Sequence, residues 1–251
     1  MEYDDINPIG SNEHAFTGDV LKMLKILDIK ESLYDICEKL NYPKYVLDCM
    51  RTYEGTNKLL KDKDVYLKYQ DSWIFLYSNL TLERRKSTKL GKIRTFTTTC
   101  RDLVCNDILE TYLVDGINKN NKDFIIVSND VRDSNGSFQI YKNATLKPDF
   151  KVIINDKEYL LELKCENYKG VGFIDGKYKY GNSYHKHGRY KDYKDDIYFL
   201  KVDIKHKKAA IFTYDELNHK SVDLKNIKVV DFNDKQDIYN KLKELILNKF
   251  N

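Results

Sequence analysis

No apolar run in this chain reaches the roughly 20 residues that a membrane-spanning helix needs. Cysteine is sparse, with five residues at Cys37, Cys49, Cys100, Cys105 and Cys165. None forms a Cys-x-x-Cys, and no Cys/His spacing reads as a zinc site. An odd cysteine count without a secretory signal points to the reducing cytoplasm. Cys37 and Cys165 read as small core residues, and a structural role is expected for Cys100 and Cys105. There is no phosphate-cradling glycine loop, no ATPase or helicase motif, no Ser/His/Asp arrangement and no internal repeat. Any reaction carried out here therefore needs no nucleotide fuel from this chain. Proline is scarce too, with 3.

What is present bounds the answer from the other side. A length of 251 residues allows one large domain or two small ones, and 41% hydrophobic content supports a folded core. Charged residues make up 33% and the formal net charge is +4, a mildly basic surface. A charge of +4 does not establish nucleic-acid binding, so its local distribution matters more. Tyrosine is abundant, with 20 residues.

The most informative stretch runs from Pro148 to Lys164. Two β-branched runs flank Asn155-Asp156, a two-residue turn signal. If Ile154 pairs with Lys157, counting back places Asp149 opposite Glu162 and Lys147 opposite Lys164. Side chains alternate with period two, so Asp149, Glu162 and Lys164 share one face. Phe150, Val152, Ile154, Tyr159, Leu161 and Leu163 take the other. Two carboxylates side by side repel each other, and a hard divalent cation relieves that repulsion. Mg²⁺ prefers oxygen ligands, and the Leu163 carbonyl offers a third. Lys164 would stand beside the activated water, orienting it, helping to deprotonate it, or offsetting phosphate charge.

These residues resemble the PD-(D/E)xK nuclease signature: Pro148-Asp149 opens one strand and Glu162-Leu163-Lys164 lies on the next. The resemblance covers roughly residues 95–215 and is carried by five of them. It implies phosphodiester hydrolysis with one or two Mg²⁺ ions, for which Mn²⁺ substitutes, held by Asp149, Glu162 and Leu163. In that family a helix before the hairpin often adds an acid. Cys100 to Val114 reads as that helix, with Leu103, Val104, Ile108, Leu109 and Leu113 apolar and Gly116 as its stop. Asp107 and Glu110 share a face, and Glu110 is the candidate additional acid.

The N-terminal third is patterned as helices. Val20, Leu21, Leu24, Ile26 and Leu27 fit one. Ser32 caps a second over Leu33–Leu40, and a third runs from Lys44 to about Tyr53. The spacing resembles a helix-turn-helix, with Ile36 and Leu40 inward, Cys37 at the close approach and Asn41 in the left-handed turn position. Leu47 and Met50 are the expected inward residues of its second helix. Lys44, Tyr45, Asp48 and Arg51 would face a major groove. Val65–Tyr69 and Trp73–Tyr77, separated by Gln70-Asp71-Ser72, read as a β-hairpin, the wing of a winged helix.

Basic residues cluster in two further places. Leu82 to Thr99 holds Arg84, Arg85, Lys86, Lys89, Lys92 and Arg94 against Glu83 alone, a linker suited to phosphate contact. Tyr168 to Asp196 interleaves glycines, tyrosines and basic residues and reads as a loop ordering on a polyanion. Lys169, Lys177, Lys179, Tyr184, Lys186 and Arg189 are its candidate DNA contacts. A helix after the hairpin fits best at Tyr184–Asp195. Ile197–Asp203 and Ala209–Tyr214 read as strands, and Asp234–Phe250 as an amphipathic helix with Ile238, Leu242, Leu245 and Ile246 inward.

The expected architecture is α/β (α+β): a restriction-endonuclease-like mixed sheet flanked by helices over 100–251, a basic linker over 81–99, and a small winged helix-turn-helix domain over 1–80. A fuel-free nuclease of this size resembles a type II restriction endonuclease. That resemblance implies double-stranded DNA as substrate, a homodimer for cutting both strands and a cognate DNA methyltransferase. The alternatives are a structure-selective nuclease and a non-catalytic DNA-binding regulator.

Overall fold

The computed structural model describes residues 23–53, 63–85, 96–129, 147–166, 171–179, 188–217 and 221–251. The side chains of 33, 50–53, 63–66, 83–84, 96–103, 105–106 and 166 lie outside that description. The chain divides into two compact units. The described part of the first is 30–53, 63–85 and 96–108; that of the second is 23–29, 109–129 and 147–251 without the gaps given above.

The first unit is helical: α1 (Leu33–Lys39), α2 (Lys44–Tyr53), α3 (Lys63–Ser78), the short α4 (Leu82–Arg85) and the first half of α5 (Phe96–Lys119). Ser32 caps α1 by accepting from the Asp35 N–H at 3.1 Å. Asn41 takes the turn between α1 and α2 with φ 56°, the left-handed conformation that asparagine tolerates. Ile36, Cys37, Val46 and Cys49 are buried between these helices. The inward positions of α2 are thus Val46 and Cys49, whereas Leu47 is half-buried.

The wing is absent: the stretch expected as a hairpin is the single helix α3. Gln70-Asp71-Ser72 contains no Gly, Asn or Pro to impose a turn, so nothing breaks the helix there. Trp73, Leu76 and Leu80 are buried, a spacing of three and four that only a helix puts on one side. Phe75 meets the Tyr45 ring edge-on at 4.8 Å, and the Ser72 hydroxyl donates to Asp48 at 3.3 Å. The groove-facing side expected for α2 is therefore turned toward α3 at Tyr45 and Asp48.

The second unit is a mixed α/β body. Its main sheet runs in the order β1 (Ile125–Ser128), β2 (Phe150–Ile154), β3 (Lys157–Glu166), β6 (Ile197–Asp203), β7 (Lys208–Thr213), β9 (Val229–Asp231). Among the described residues, only β3 and β6 pair in parallel. A smaller sheet holds β4 (Gly172–Ile174), β5 (Lys177–Lys179) and β8 (Ser221–Asp223). The β2–β3 register is the expected one, with Ile154 facing Lys157 and Phe150 facing Leu161. Asn155 (φ 49°) and Asp156 (φ 61°) make the turn, both left-handed as a type I′ hairpin requires. Phe150, Val152, Ile154, Leu161 and Leu163 are buried on one face, each contributing about 1.5–3 kcal/mol.

The final helix α6 (Lys235–Phe250) covers part of that face. Asp234 caps it, and Phe250 packs against the tilted Tyr159 ring at 4.5 Å and meets Tyr198 edge-on at 4.6 Å. Helix α5 does not stop at Gly116 but continues to Lys119. Gly116 serves packing instead: a Cβ there would fall 2.1 Å from the Tyr239 ring of α6. Asn118 then ties the helix end to β1, bonding both the N–H (2.9 Å) and the carbonyl (2.8 Å) of Ile126.

The stretch expected as a loop after β3 is partly built. It contains the β4–β5 hairpin, turned by Asp175 and Gly176, and a 3-10 helix over Gly188–Tyr193. Phe173 and Tyr178 of that hairpin pack with Ile197, Phe199, Phe212 and Leu217. This cluster lies on the sheet face opposite Leu161 and Leu163, the face that also carries Glu162. Residues 167–170 and 180–187 lie outside the described residues.

Candidate active site

The chain brings Asp149, Glu162, Lys164 and Glu110 to one point. Asp149 directly precedes β2, Glu162 and Lys164 are two apart on β3, and Glu110 projects from α5. Lys164 Nζ stands 2.8 Å from Asp149 Oδ2, 2.8 Å from Glu162 Oε1, 3.0 Å from the Leu163 carbonyl and 3.8 Å from Glu110 Oε1. An ammonium has three N–H donors, and those three short contacts use them all. The Asp149 N–H donates to the other Glu162 oxygen at 3.3 Å. Glu162 and Glu110 are buried, while Asp149 and Lys164 keep 29% and 34% of their side-chain exposure.

Three carboxylates around one ammonium leave a formal excess of two negative charges. Burial pushes the Asp149 carboxyl well above its ordinary range; Lys164 opposes this, and Glu162 and Glu110 add to it. Burial acts on Glu162 in the same direction, but Lys164 and hydrogen bonds from Lys164 and Tyr190 outweigh it, so Glu162 stays low and ionised. Burial alone would depress Lys164. Asp149, Glu162 and Glu110, in that order, hold it instead well above the usual lysine value. Lys164 is thus a fixed cation in this arrangement.

Among the described residues no His, Cys, Asp and Glu side chains form a ready-made metal cluster. The oxygens here are gathered around Lys164, which stands where a hard cation would. Its three nearest partners, Asp149, Glu162 and the Leu163 carbonyl, are oxygen donors of the kind Mg²⁺ selects. The donor set and its surplus charge therefore fit such an ion. Comparison with family models, with curated proteins and with solved structures finds no match for this chain.

Tyr190 is a site residue that sequence reasoning passed over. Its ring meets Phe199 edge-on at 5.7 Å, and Phe199 faces Glu162 across the β3–β6 ladder. In sequence it was one of many tyrosines in a basic stretch. Nothing in its spacing linked it to β3, and only the fold of the crossover does.

The expected DNA contacts are dispersed. Lys44 is exposed and pairs with Asp48 at 2.6 Å, while Tyr45 is half-buried against Phe75. Arg85 lies over the Tyr77 ring at 4.7 Å and reaches the Thr81 carbonyl at 3.4 Å. Lys177 and Arg189 are exposed, and Lys179 lies 3.5 Å from Asp175. The side chains of Arg51 and Arg84, and all of Lys169, Tyr184 and Lys186, lie outside the described residues.

Proposed function

We propose that this protein is a Mg²⁺-dependent DNA endonuclease of the PD-(D/E)xK kind, a phosphodiester hydrolase most like a type II restriction enzyme. One observation carries the reading: Asp149, Glu162, the Leu163 carbonyl and Glu110 converge on the Lys164 ammonium. The strand positions of Asp149, Glu162 and Lys164, and an acid from the preceding helix, agree with that family's pattern.

When bound, Mg²⁺ supplies Lewis acidity, which makes water a better nucleophile and screens phosphate charge. Asp149, Glu162 and the Leu163 carbonyl would hold it. Lys164 would leave these oxygens and turn its N–H groups to the attacking water or to a phosphate oxygen. In that position it would donate hydrogen bonds and stabilise developing negative charge. Glu110 adds a further carboxylate on the helix side. Lys177 and Arg189 are exposed and cationic, suited to phosphate contact that positions the duplex without reading it.

Supercoiled plasmid and bacteriophage DNA, incubated with the protein in Mg²⁺ or EDTA, test this beside Asp149→Ala and Lys164→Ala. Discrete fragments that require Mg²⁺ and vanish in both variants are expected. Preference for branched substrates would shift the assignment to a structure-selective nuclease. DNA binding without cleavage on any substrate would point to a regulator, and cleavage persisting in both variants would place the active site elsewhere.

A further inference from the structure

Asp203, the last residue of β6, is a buried carboxylate that the proposed mechanism leaves unused. It pairs with Glu166 in the parallel ladder, two residues beyond the pair Lys164 and Lys201. With a period of two it lies on the face of Glu162 and Lys164, about 7 Å further along the strand. Both of its oxygens are used. Oδ1 accepts from the His206 N–H at 3.0 Å, and Oδ2 accepts from the Phe173 N–H at 2.9 Å. Oδ2 also lies 2.7 Å from His206 Nδ1. The start of β4 comes so close that a Cβ on Gly172 would collide with that oxygen.

Two backbone N–H groups already satisfy this carboxylate and close the turn, so the imidazole is an addition. An ionised carboxylate only accepts, so Nδ1 carries the proton and the ring is held in one orientation. Nε2 has no partner among the described residues, and the side chain is 30% exposed. Lys205 and Lys207 flank it, both exposed and without an ion pair among the described residues. Lys207 holds φ 53°, and its carbonyl accepts from the Phe232 N–H at 2.9 Å, which anchors the turn on its other side. The remaining charges at this end of the sheet are Lys208 and Asp231, which pair at 2.5 Å across β7 and β9.

Resting on the function proposed above, we infer that the β6–β7 turn clamps the DNA backbone beside the active centre. Protonated Nε2 of His206 donates to a phosphate oxygen, and Lys205 and Lys207 hold phosphates on either side. Along one strand a phosphate follows about every 3.4 Å of helix axis, so a duplex seated on Lys164 offers several at this distance. Neutral Nε2 bears a lone pair that repels an anion, so the contact takes up a proton. Asp203 is a positioning residue: it holds the other ring nitrogen and touches no DNA.

Binding of a fluorescent duplex to the full chain, with Ca²⁺ in place of Mg²⁺, tests this by anisotropy over a range of salt. His206→Asn keeps a donor near the Nδ1 position and removes Nε2. Lys205→Gln combined with Lys207→Asn removes the flanking charges, and asparagine tolerates φ 53°. At about pH 6, His206→Asn should bind about three- to tenfold more weakly. Its slope of log affinity against log salt should be shallower by about 1. At about pH 8 its deficit should shrink. The paired lysine variant should lose about 2 in slope. Affinity and slope equal to the parent's in both variants would overturn the clamp, while Mg²⁺-dependent cleavage by the parent would leave the nuclease reading standing. Weaker binding at an unchanged slope would also overturn it, because the turn would then matter for shape alone. Turn-dependent binding by a parent that cleaves no DNA would uphold the phosphate contact and refute the nuclease reading. No duplex binding by the parent would overturn both.

Discussion

Replacing Lys164 by Met should produce a protein that binds Mg²⁺ more tightly than its parent and cleaves nothing. The Lys164 ammonium is the cation that faces Asp149, Glu162 and Glu110, and methionine keeps the length of its stem. Asp149 Oδ2 and Glu162 Oε1 each lie 2.8 Å from Nζ, so they stand at most about 5.6 Å apart, a repulsion of about 3 kcal/mol at an effective dielectric of 20. Asp149 keeps 29% exposure, and solvent screening reduces the stability loss to about 2 kcal/mol.

That loss depends on pH in a defined direction. In the parent, Lys164 keeps Glu162 low while Asp149 is raised. Without the ammonium, both carboxyls titrate above their unfolded values near pH 4. A raised acid stabilises the fold fully below its unfolded pKa and loses that contribution as pH rises through the folded one. The variant should therefore match the parent near pH 4 and fall progressively behind it toward pH 8. Mg²⁺ at a hundredfold over its Kd would return about 2.7 kcal/mol, and should do so at a lower concentration than in the parent. Urea unfolding in EDTA and in Mg²⁺ checks this. Circular dichroism is the suitable signal, because Trp73, the one tryptophan, belongs to the other unit. A variant as stable as the parent in EDTA at pH 8, with no larger response to Mg²⁺, would refute the charge balance described here.

Glu110→Gln should lower DNA cleavage at least about tenfold while leaving urea stability unchanged or higher, because a buried carboxylate leaves an already negative cluster. Gly116→Ala should destabilise by about 1–3 kcal/mol through collision with the Tyr239 ring, outweighing the helix-propensity gain of about 1 kcal/mol. Adding Tyr239→Leu should remove part of that penalty in the same unfolding assay, and stabilisation by Gly116→Ala alone would contradict the packing. Asp156→Gly should stabilise the β2–β3 turn by about 0.5–1 kcal/mol, since Asp156 holds φ 61° at a position glycine occupies without strain; thermal unfolding would show it as a raised Tm.

The parts legible in sequence were those where local chemistry and periodicity agreed. Asn155-Asp156 fixed a two-residue turn, period two fixed the faces, and Asp149, Glu162 and Lys164 followed by counting. Helices α1 and α2 were legible because Ser32 caps one and Asn41 separates them. The region of α3 misled because Val-Tyr-Leu-Lys-Tyr suits a strand on propensity alone. Its true period appears only when Trp73, Leu76 and Leu80 are taken together. Strands β4, β5 and β8 are three residues long and too short to carry a period. The Asp175-Gly176 turn between the first two was nonetheless a readable hairpin signal. Asp107 and Glu110 looked equivalent on one helix face. The fold separates them, with Asp107 accepting from the Tyr42 hydroxyl in the first unit and Glu110 reaching Lys164 in the second.

The strongest reason to look for function at this point is energetic. Buried ion clusters contribute little to stability, and apolar residues of similar size often serve a fold as well or better. Here burial alone opposes the charged form of Asp149, Glu162 and Lys164 alike. The cluster is also unbalanced, with three acids around one base, so their mutual attraction cannot fully offset that cost. A purely structural role would be met by a neutral pair, or by extending the apolar cluster of Phe199 and Phe212 along the same sheet face. An added dication removes the imbalance, and it needs the oxygen ligands that Lys164 now holds together. On the proposed reading, the cluster's cost to folding is explained by the ion it binds, and Lys164 is both its placeholder and, once displaced, the cation facing the phosphate.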